Sequence, residues 1–277
     1  MLFIYKYWED FCKKLSESGI HSIPAREVNE NSSIYLIFKH DVETNIRKAY
    51  DLSVIEYKYG HRGSYYVQAY LLKDKKNIEL LHKISELGHE VSYHYDVMDS
   101  QKGNINKACI EFENNLKLFE QNGFNINTVC QHGNPIINRI GYTSNRDFFR
   151  NTDIQKRFAG ISDIMVNYKN EYKTDYCYYS DAGRKFKFIY DPINNDIVDS
   201  ENKNVTYDTL DELLVLAIDK HHNIIISIHP HRWTRSRILN FTQNALFYIL
   251  RNLSRLLKRN KFFMSFFSKY YFLAKKI

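Results

Sequence analysis

Four apolar runs in this chain stop at residues that bind metals or move protons. "SIYLIFKHD" ends in His40 and Asp41, "HEVSYH" ends in His94, "NINTVCQ" is followed by His132, and "NIIISIH" ends in His229. Carboxylates and neutral imidazoles are the usual ligands of zinc or a similar divalent ion, and a catalytic site keeps one coordination position open. Asp41, His94 and His132 could form such a set. A second histidine four residues after His94 would strengthen the signal, but position 98 is Met, so the third ligand has to come from elsewhere in the chain. Plainer readings stand beside this one. His89 reads as a strand histidine facing helices or solvent, and Asp96 and Asp99 read as loop acids. His221 and His222 read as surface residues, and His231 as a neighbour of the site or a plain loop residue. Asp41 and His94, taken singly, could equally be structural.

Residues so far apart in sequence meet only if the elements carrying them converge. Strand-like and helix-like stretches alternate along the chain. "IRKAYDLSVIEYKYG", "NIELLHKISELG" and "NINKACIEFENNLKLFEQNG" have apolar residues at helical spacing and close on Gly60, Gly88 and Gly123. "GSYYVQAY" lies between the first two and reads as a strand. Residues 135–205 are less regular, with short strands expected at "DYCYYS" and "KFKFIYD". "TLDELLVLAIDKH" then returns as a helix. Such alternation predicts an α/β fold with a parallel sheet and helices packed outside it, whose active site lies at the carboxyl ends of the strands. Strand parity adds detail: Ile224, Ile226 and Ile228 share a face suited to packing under helices, while Ser227 and His229 share the other. Glu90, Ser92 and His94 likewise share one polar face, expected to look into a barrel interior or its mouth.

Bulk properties narrow the class. The chain has 277 residues, is 44% hydrophobic, and holds only four prolines and ten glycines, which suits a packed core better than a disordered or linker-rich chain. Its cysteines, at 12, 109, 130 and 177, form no CxxC pair and read as reduced thiols of a cytosolic protein. Lys6, Glu9 and Asp10 interrupt the first apolar run, so the start reads as an amphipathic helix (Trp8, Phe11, Cys12, Leu15) and not as a secretory signal. No stretch of eighteen apolar residues is present to span a membrane. The net charge of +7 is concentrated at the end: residues 232–277 hold eleven Lys or Arg and no acid, leaving the rest at −4. A basic tail on an acidic body argues against a nucleic-acid binder.

At "KHDVET", "LGHEVSYHYD", "QHGNP", "YYSDAGRKF" and "SIHPHRW", in this order, the chain resembles the polysaccharide deacetylase family (carbohydrate esterase family 4), above all its branch associated with O-antigen and lipopolysaccharide synthesis. The likeness runs from about Trp8 to Trp233. It implies a distorted (β/α) barrel, taken as residues 1–233, and residues 234–277 beyond it read from their own charge and spacing as a basic amphipathic helical tail. The implied activity is metal-dependent hydrolysis of an N-acetyl group on an amino sugar, with zinc as the expected ion. In "HDVE", Asp41 and Glu43 match the family's acid pair, one a base and the other a metal ligand. A second alignment makes His40 the base and Asp41 the ligand. His94 matches the first histidine of the second motif, Met98 stands in place of the next, and His132 is the candidate replacement. His229 maps to the last motif's histidine and is the expected general acid. Asp181 and Arg184 are candidates to orient the site or the sugar, and Trp233 to stack on a sugar ring.

Two other readings share these residues: a metal-dependent amidohydrolase acting on a small non-sugar substrate, and an inactive carbohydrate-binding relative, for which Met98 speaks. The expected setting is cytoplasmic, either free or peripheral at the inner membrane face through the tail, and the expected substrate is an acetylated amino sugar that is lipid-linked, nucleotide-linked or polymeric. In the tail, Leu239, Leu246, Leu250, Leu253 and Leu257 fit one helical face, and Arg251, Arg255 and Arg259 lie four apart on another. That pattern suits either a helix packed on the barrel with its basic face in water or an interfacial helix on anionic lipid.

Overall fold

In a computed structural model of the chain, the structure describes residues 3–29, 34–134, 137, 139–167, 176–184, 186–189, 206–207, 210–219 and 223–257. The strands are β1 (Leu36–Val42), β2 (Ser64–Val67), β3 (Glu90–Tyr95), β4 (Thr128–Gln131), β5 (Ser162–Asp163), β6 (Tyr176–Ser180), β7 (Phe186–Ile189), β8 (Thr206–Tyr207) and β9 (Asn223–Ile228). The α-helices are α1 (Tyr5–Glu17), α2 (Ile46–Lys58), α3 (Lys75–Glu86), α4 (Val97–Ser100), α5 (Ile105–Gln121), α6 (Asp147–Arg150), α7 (Thr152–Arg157), α8 (Leu210–Ile218) and α9 (Arg237–Leu257). His221, His222 and the chain beyond Leu257 lie outside the described residues.

The helices start and stop where local chemistry dictates. Asn45, Asp74 and Asn104 cap α2, α3 and α5 by accepting backbone N–H groups of the first turn. Gly60 and Gly88 follow α2 and α3 with φ of +75° and +85°, a conformation that costs a residue with a Cβ. Gly63 is needed for a different reason. A Cβ there would lie 2.7 Å from the Phe38 carbonyl oxygen, so only glycine lets the entry to β2 come this close to β1.

The sheet order is β5-β4-β3-β2-β1-β9-β6-β7-β8. From β5 to β6 every pairing is parallel, and β7 and β8 extend the sheet antiparallel. The parallel part curls on itself. The Tyr176 hydroxyl on β6 donates to the Ile164 carbonyl, just past β5, over 3.4 Å, so the two ends of the parallel run meet.

Curling gives each strand an outer and an inner face. Outside, Ile224, Ile226 and Ile228 pack with Trp8, Phe11 and Leu15 of α1 and with Leu210 and Leu213 of α8. Val91, Tyr93 and Tyr95 pack with Phe112 and Phe119 of α5 and with Phe148 and Phe149 of α6. Inside, Ile37, Tyr66, Cys130, Tyr178 and Ile225 form a smaller core with Ala25 and Val28. The segment carrying Ala25 covers the strands' amino ends: Ser64 Oγ accepts the Ala25 N–H and Glu90 Oε2 accepts that of Arg26. The other end of the inner face carries the polar residues described next.

The tail helix α9 leans on the barrel through its polar side. Asn240, wholly buried, accepts the Phe3 N–H and donates to the Phe3 and Arg232 carbonyls. Leu239 and Leu246 do not turn inward and are exposed.

Candidate active site

The carboxyl ends of β1, β3, β4, β6 and β9 deliver Asp41 and Glu43, His94, His132, Asp181 and His229 to one place, and all six are buried. In the parallel register, His94 of β3 sits beside Cys130 of β4, and β1 runs between β2 and β9. The mouth of the curled sheet therefore gathers residues separated by almost two hundred positions.

Glu43, His94 and His132 each offer a ligand atom, and these atoms lie within 4.8 Å of one another. His132 Nε2 is 3.0 Å from Glu43 Oε1, and the His94 and His132 rings meet edge to face at 5.3 Å. His94 Nδ1–H donates to the Cys130 carbonyl over 3.0 Å, which leaves Nε2 with its lone pair. Burial pushes the His94 imidazole down to about 3, so it is neutral at physiological pH, as a metal ligand must be. One carboxylate and two imidazoles are a donor set that fits zinc or a similar ion. The carboxylate grouped with His132 is Glu43. Asp41 falls instead in a group with His94 and Cys130, so the expected trio of Asp41, His94 and His132 is corrected in its acid.

Asp41 has another attachment. Lys39, two residues earlier on the same face of β1, places Nζ 2.5 and 2.6 Å from the two Asp41 oxygens. Ser227 Oγ on β9 donates to Asp41 Oδ2 over 3.2 Å. Burial alone would raise the Asp41 carboxyl, but Lys39, His94 and His229 outweigh it and hold the group well below the ordinary carboxylate range. Asp41 is thus a fixed, ionised carboxylate.

His229 completes the mouth. Its Nδ1–H donates to Asp181 Oδ1 over 2.5 Å and its backbone N–H to Asp181 Oδ2 over 3.0 Å. Its Nε2 faces inward, 3.8 Å from Asp41 Oδ2 and 4.0 Å from Glu43 Oε1. Arg232 pins Asp181 from behind, donating to its Oδ1 over 2.8 Å and to its carbonyl over 2.7 Å. Burial would raise the Asp181 carboxyl, yet Arg232 and His229 together bring it below its usual value. The constellation is an imidazole held in one tautomer by a buried acid, the arrangement of a general acid or base.

A buttress outside the mouth holds His132. Its backbone N–H donates to the Tyr95 carbonyl over 2.7 Å, and Asn145 Nδ2 donates to its own carbonyl over 2.7 Å. Asn145 also donates to Asp99, which Arg139 grips through two nitrogens at 2.7 and 2.8 Å. Asp99 is therefore a structural anchor and no solvated loop acid. Met98 is buried in the outer core with Val97 and Phe112, away from the inner face, which is why an apolar residue is tolerated there.

Three expectations need correction. His40 lies on the opposite face of β1 from Asp41. It is stacked on Tyr65 at 4.0 Å and lies 2.9 Å from Glu56 under α2, so it cannot be the base at the mouth. Trp233 is wholly buried and packs edge-on against Phe3 and Trp8, leaving no face for a sugar. Arg184, with φ of +61°, reaches away to Asn244 Oδ1 at 2.8 Å and the Phe247 ring at 5.5 Å, on α9. Sequence reasoning missed Lys39, Arg232 and the role of Ser227. A period-two reading of "KHD" and the three-residue step from His229 to Arg232 were the signals available.

No family model and no curated protein matches this chain. A solved structure similar to it is that of a point mutant of a peptidoglycan deacetylase from Bacillus subtilis. The two are 12% identical over 84% of this chain and 100% of that chain, with a TM-score of 0.37. A likeness this distant assigns nothing, and the functional reading stands on the residues at the mouth.

Proposed function

We propose that this protein is a metal-dependent hydrolase that removes the N-acetyl group from an amino sugar, in the synthesis of a surface polysaccharide or lipopolysaccharide O-antigen. The observation that carries this reading is the meeting, at one mouth, of a Glu43–His94–His132 donor set with the Lys39-held Asp41 and the Asp181-held His229. The sugar as substrate rests on the five motifs that resemble the deacetylases. Glu43, His94 and His132 would hold the divalent ion, zinc or one like it, which supplies Lewis acidity at an acetyl carbonyl.

The chain's own groups divide the proton work. Asp41, ionised and fixed by Lys39, accepts a proton from the water whose oxygen bonds to the acetyl carbon. As the carbon–nitrogen bond breaks, His229 Nε2 gives a proton to the amine, which is otherwise a poor leaving group. Asp181 holds the imidazole in place and stabilises its charged form, and Arg232 keeps Asp181 aligned. Acetate and a free amino sugar leave. General acid catalysis of this kind contributes about 10²- to 10⁴-fold.

The test is acetate release from N-acetylhexosamine oligosaccharides by zinc-loaded full-length protein. Release that stops on chelation and falls at least about a hundredfold in His229→Ala supports the reading. A zinc-loaded protein that leaves these sugars intact while cleaving small acetamides would replace the sugar with a small amide substrate.

A further inference from the structure

The tail helix α9 is amphipathic in the inverse sense to a core-packing helix. Its barrel side is polar: Asn240 is buried on the Phe3 backbone, and Asn244 bonds Asn240 and accepts from Arg184. Its outward side is apolar. Ile238 is 78% exposed, Phe241 68%, Ile249 56%, Leu239 46% and Leu246 36%. Ile238, Phe241 and Ile249 follow at three and eight residues, spacings that place them on one stripe. A protein that leaves such a stripe open has something to cover it.

The charge beside the stripe selects the cover. Arg235 and Arg237, both exposed, stand at the head of α9, Arg235 lying 3.5 Å from Asp51 of α2, and the sequence of residues 232–277 holds eleven basic residues and no acid. A second copy docked stripe to stripe would bring two such cationic segments together with no carboxylate on either to pair them. An anionic bilayer offers an apolar layer to the stripe and negative charge to a segment whose own sequence carries none. No helix among the described residues is long and apolar enough to cross a membrane, so the helix would lie in the interface and not span it.

We infer that α9 is an interfacial helix that docks the protein on an anionic lipid surface through Ile238, Phe241 and Ile249, with Arg235 and Arg237 on the headgroups. Arg184 joins α9 to the turn that carries Asp181, so the docked helix is coupled mechanically to the mouth of the barrel. This inference does not depend on the reaction assigned to that mouth: lipid binding and acetate release are separate measurements.

The experiment is co-sedimentation of the full-length protein with vesicles of phosphatidylglycerol and phosphatidylcholine, and with phosphatidylcholine alone, over a range of salt. The expected result is binding to the anionic vesicles that weakens as salt rises. Ile238→Ser/Phe241→Ser/Ile249→Ser and Arg235→Glu/Arg237→Glu should each lower the partition constant about tenfold or more while the thermal transition stays in place. A wild-type protein that binds no better than these variants overturns the proposal. So does a wild-type dimer in solution that the triple serine variant turns into a monomer, which would assign the stripe to a second copy.

Discussion

Lys39 sits at the centre of the site's electrostatics. It is almost wholly buried, yet its ammonium is held charged because Asp41 outweighs the cost of burial. Its Nζ, bonded to both oxygens of the carboxylate, also lies 6.0 and 5.9 Å from the centres of the Tyr66 and Tyr178 rings. Removing one member of such a pair leaves the other buried and unpaired, which costs about 3–5 kcal/mol. Lys39→Met should therefore lose about that much stability in urea denaturation, and adding Asp41→Asn should restore most of it. A single variant within about 0.5 kcal/mol of wild type would mean that solvent or another cation already compensates Asp41. At this scale the sequence announced the acids and imidazoles because each ends an apolar run. It did not announce which groups would be turned to which face. His40 and Asp41 are neighbours in sequence and opposites in space. Trp233 looked like a sugar platform only because nothing in "HPHRW" says that Phe3 and Trp8 will close over it.

Histidines serve a different purpose where the helices are tied to the sheet. His89, neutral, accepts the Gly63 N–H at Nδ1 and donates from Nε2 to the Ser53 carbonyl of α2. His61 does the same between Ser22 and the Cys12 carbonyl of α1. Burial pushes His89 down from 6.5 to about 4. Its folded-state value is therefore below its unfolded one. As pH falls below about 6.5 the unfolded chain takes up a proton that the folded chain refuses, and stability declines until about pH 4. One such group contributes a slope of about 1.4 kcal/mol per pH unit across that window. His89→Gln should flatten the stability profile between pH 6 and 4.5 by close to that amount, and an unchanged slope would place the acid sensitivity elsewhere. The elements these residues join were legible where a period had room to repeat, as in α2, α3, α5, β1 and β9. The two residues of β5 and the single turns of α4 and α6 are too short to show any period, and they form because the sheet edge and the outer core are there to receive them.

For the molecule as a whole, the parallel sheet and the convergence of strand ends followed from the alternation of runs. The curl, which brings Tyr176 to Ile164, depends on side-chain packing between strands far apart in sequence and has no local signature. The polarity of α9 was equally hidden: its spaced leucines suited a face for the barrel and a face for lipid alike, and only the structure shows the barrel taking Asn240 and Asn244. The central claim concerns the mouth itself, that Glu43, His94 and His132 bind an ion and His229 does not. Zinc titration of the metal-free full-length protein, compared with His132→Ala and His229→Ala, tests it most directly. The account predicts one tightly bound ion in wild type and in His229→Ala, and an affinity at least about tenfold weaker in His132→Ala. A wild type that takes up no ion, or a His132→Ala variant that binds as tightly as wild type, would contradict it.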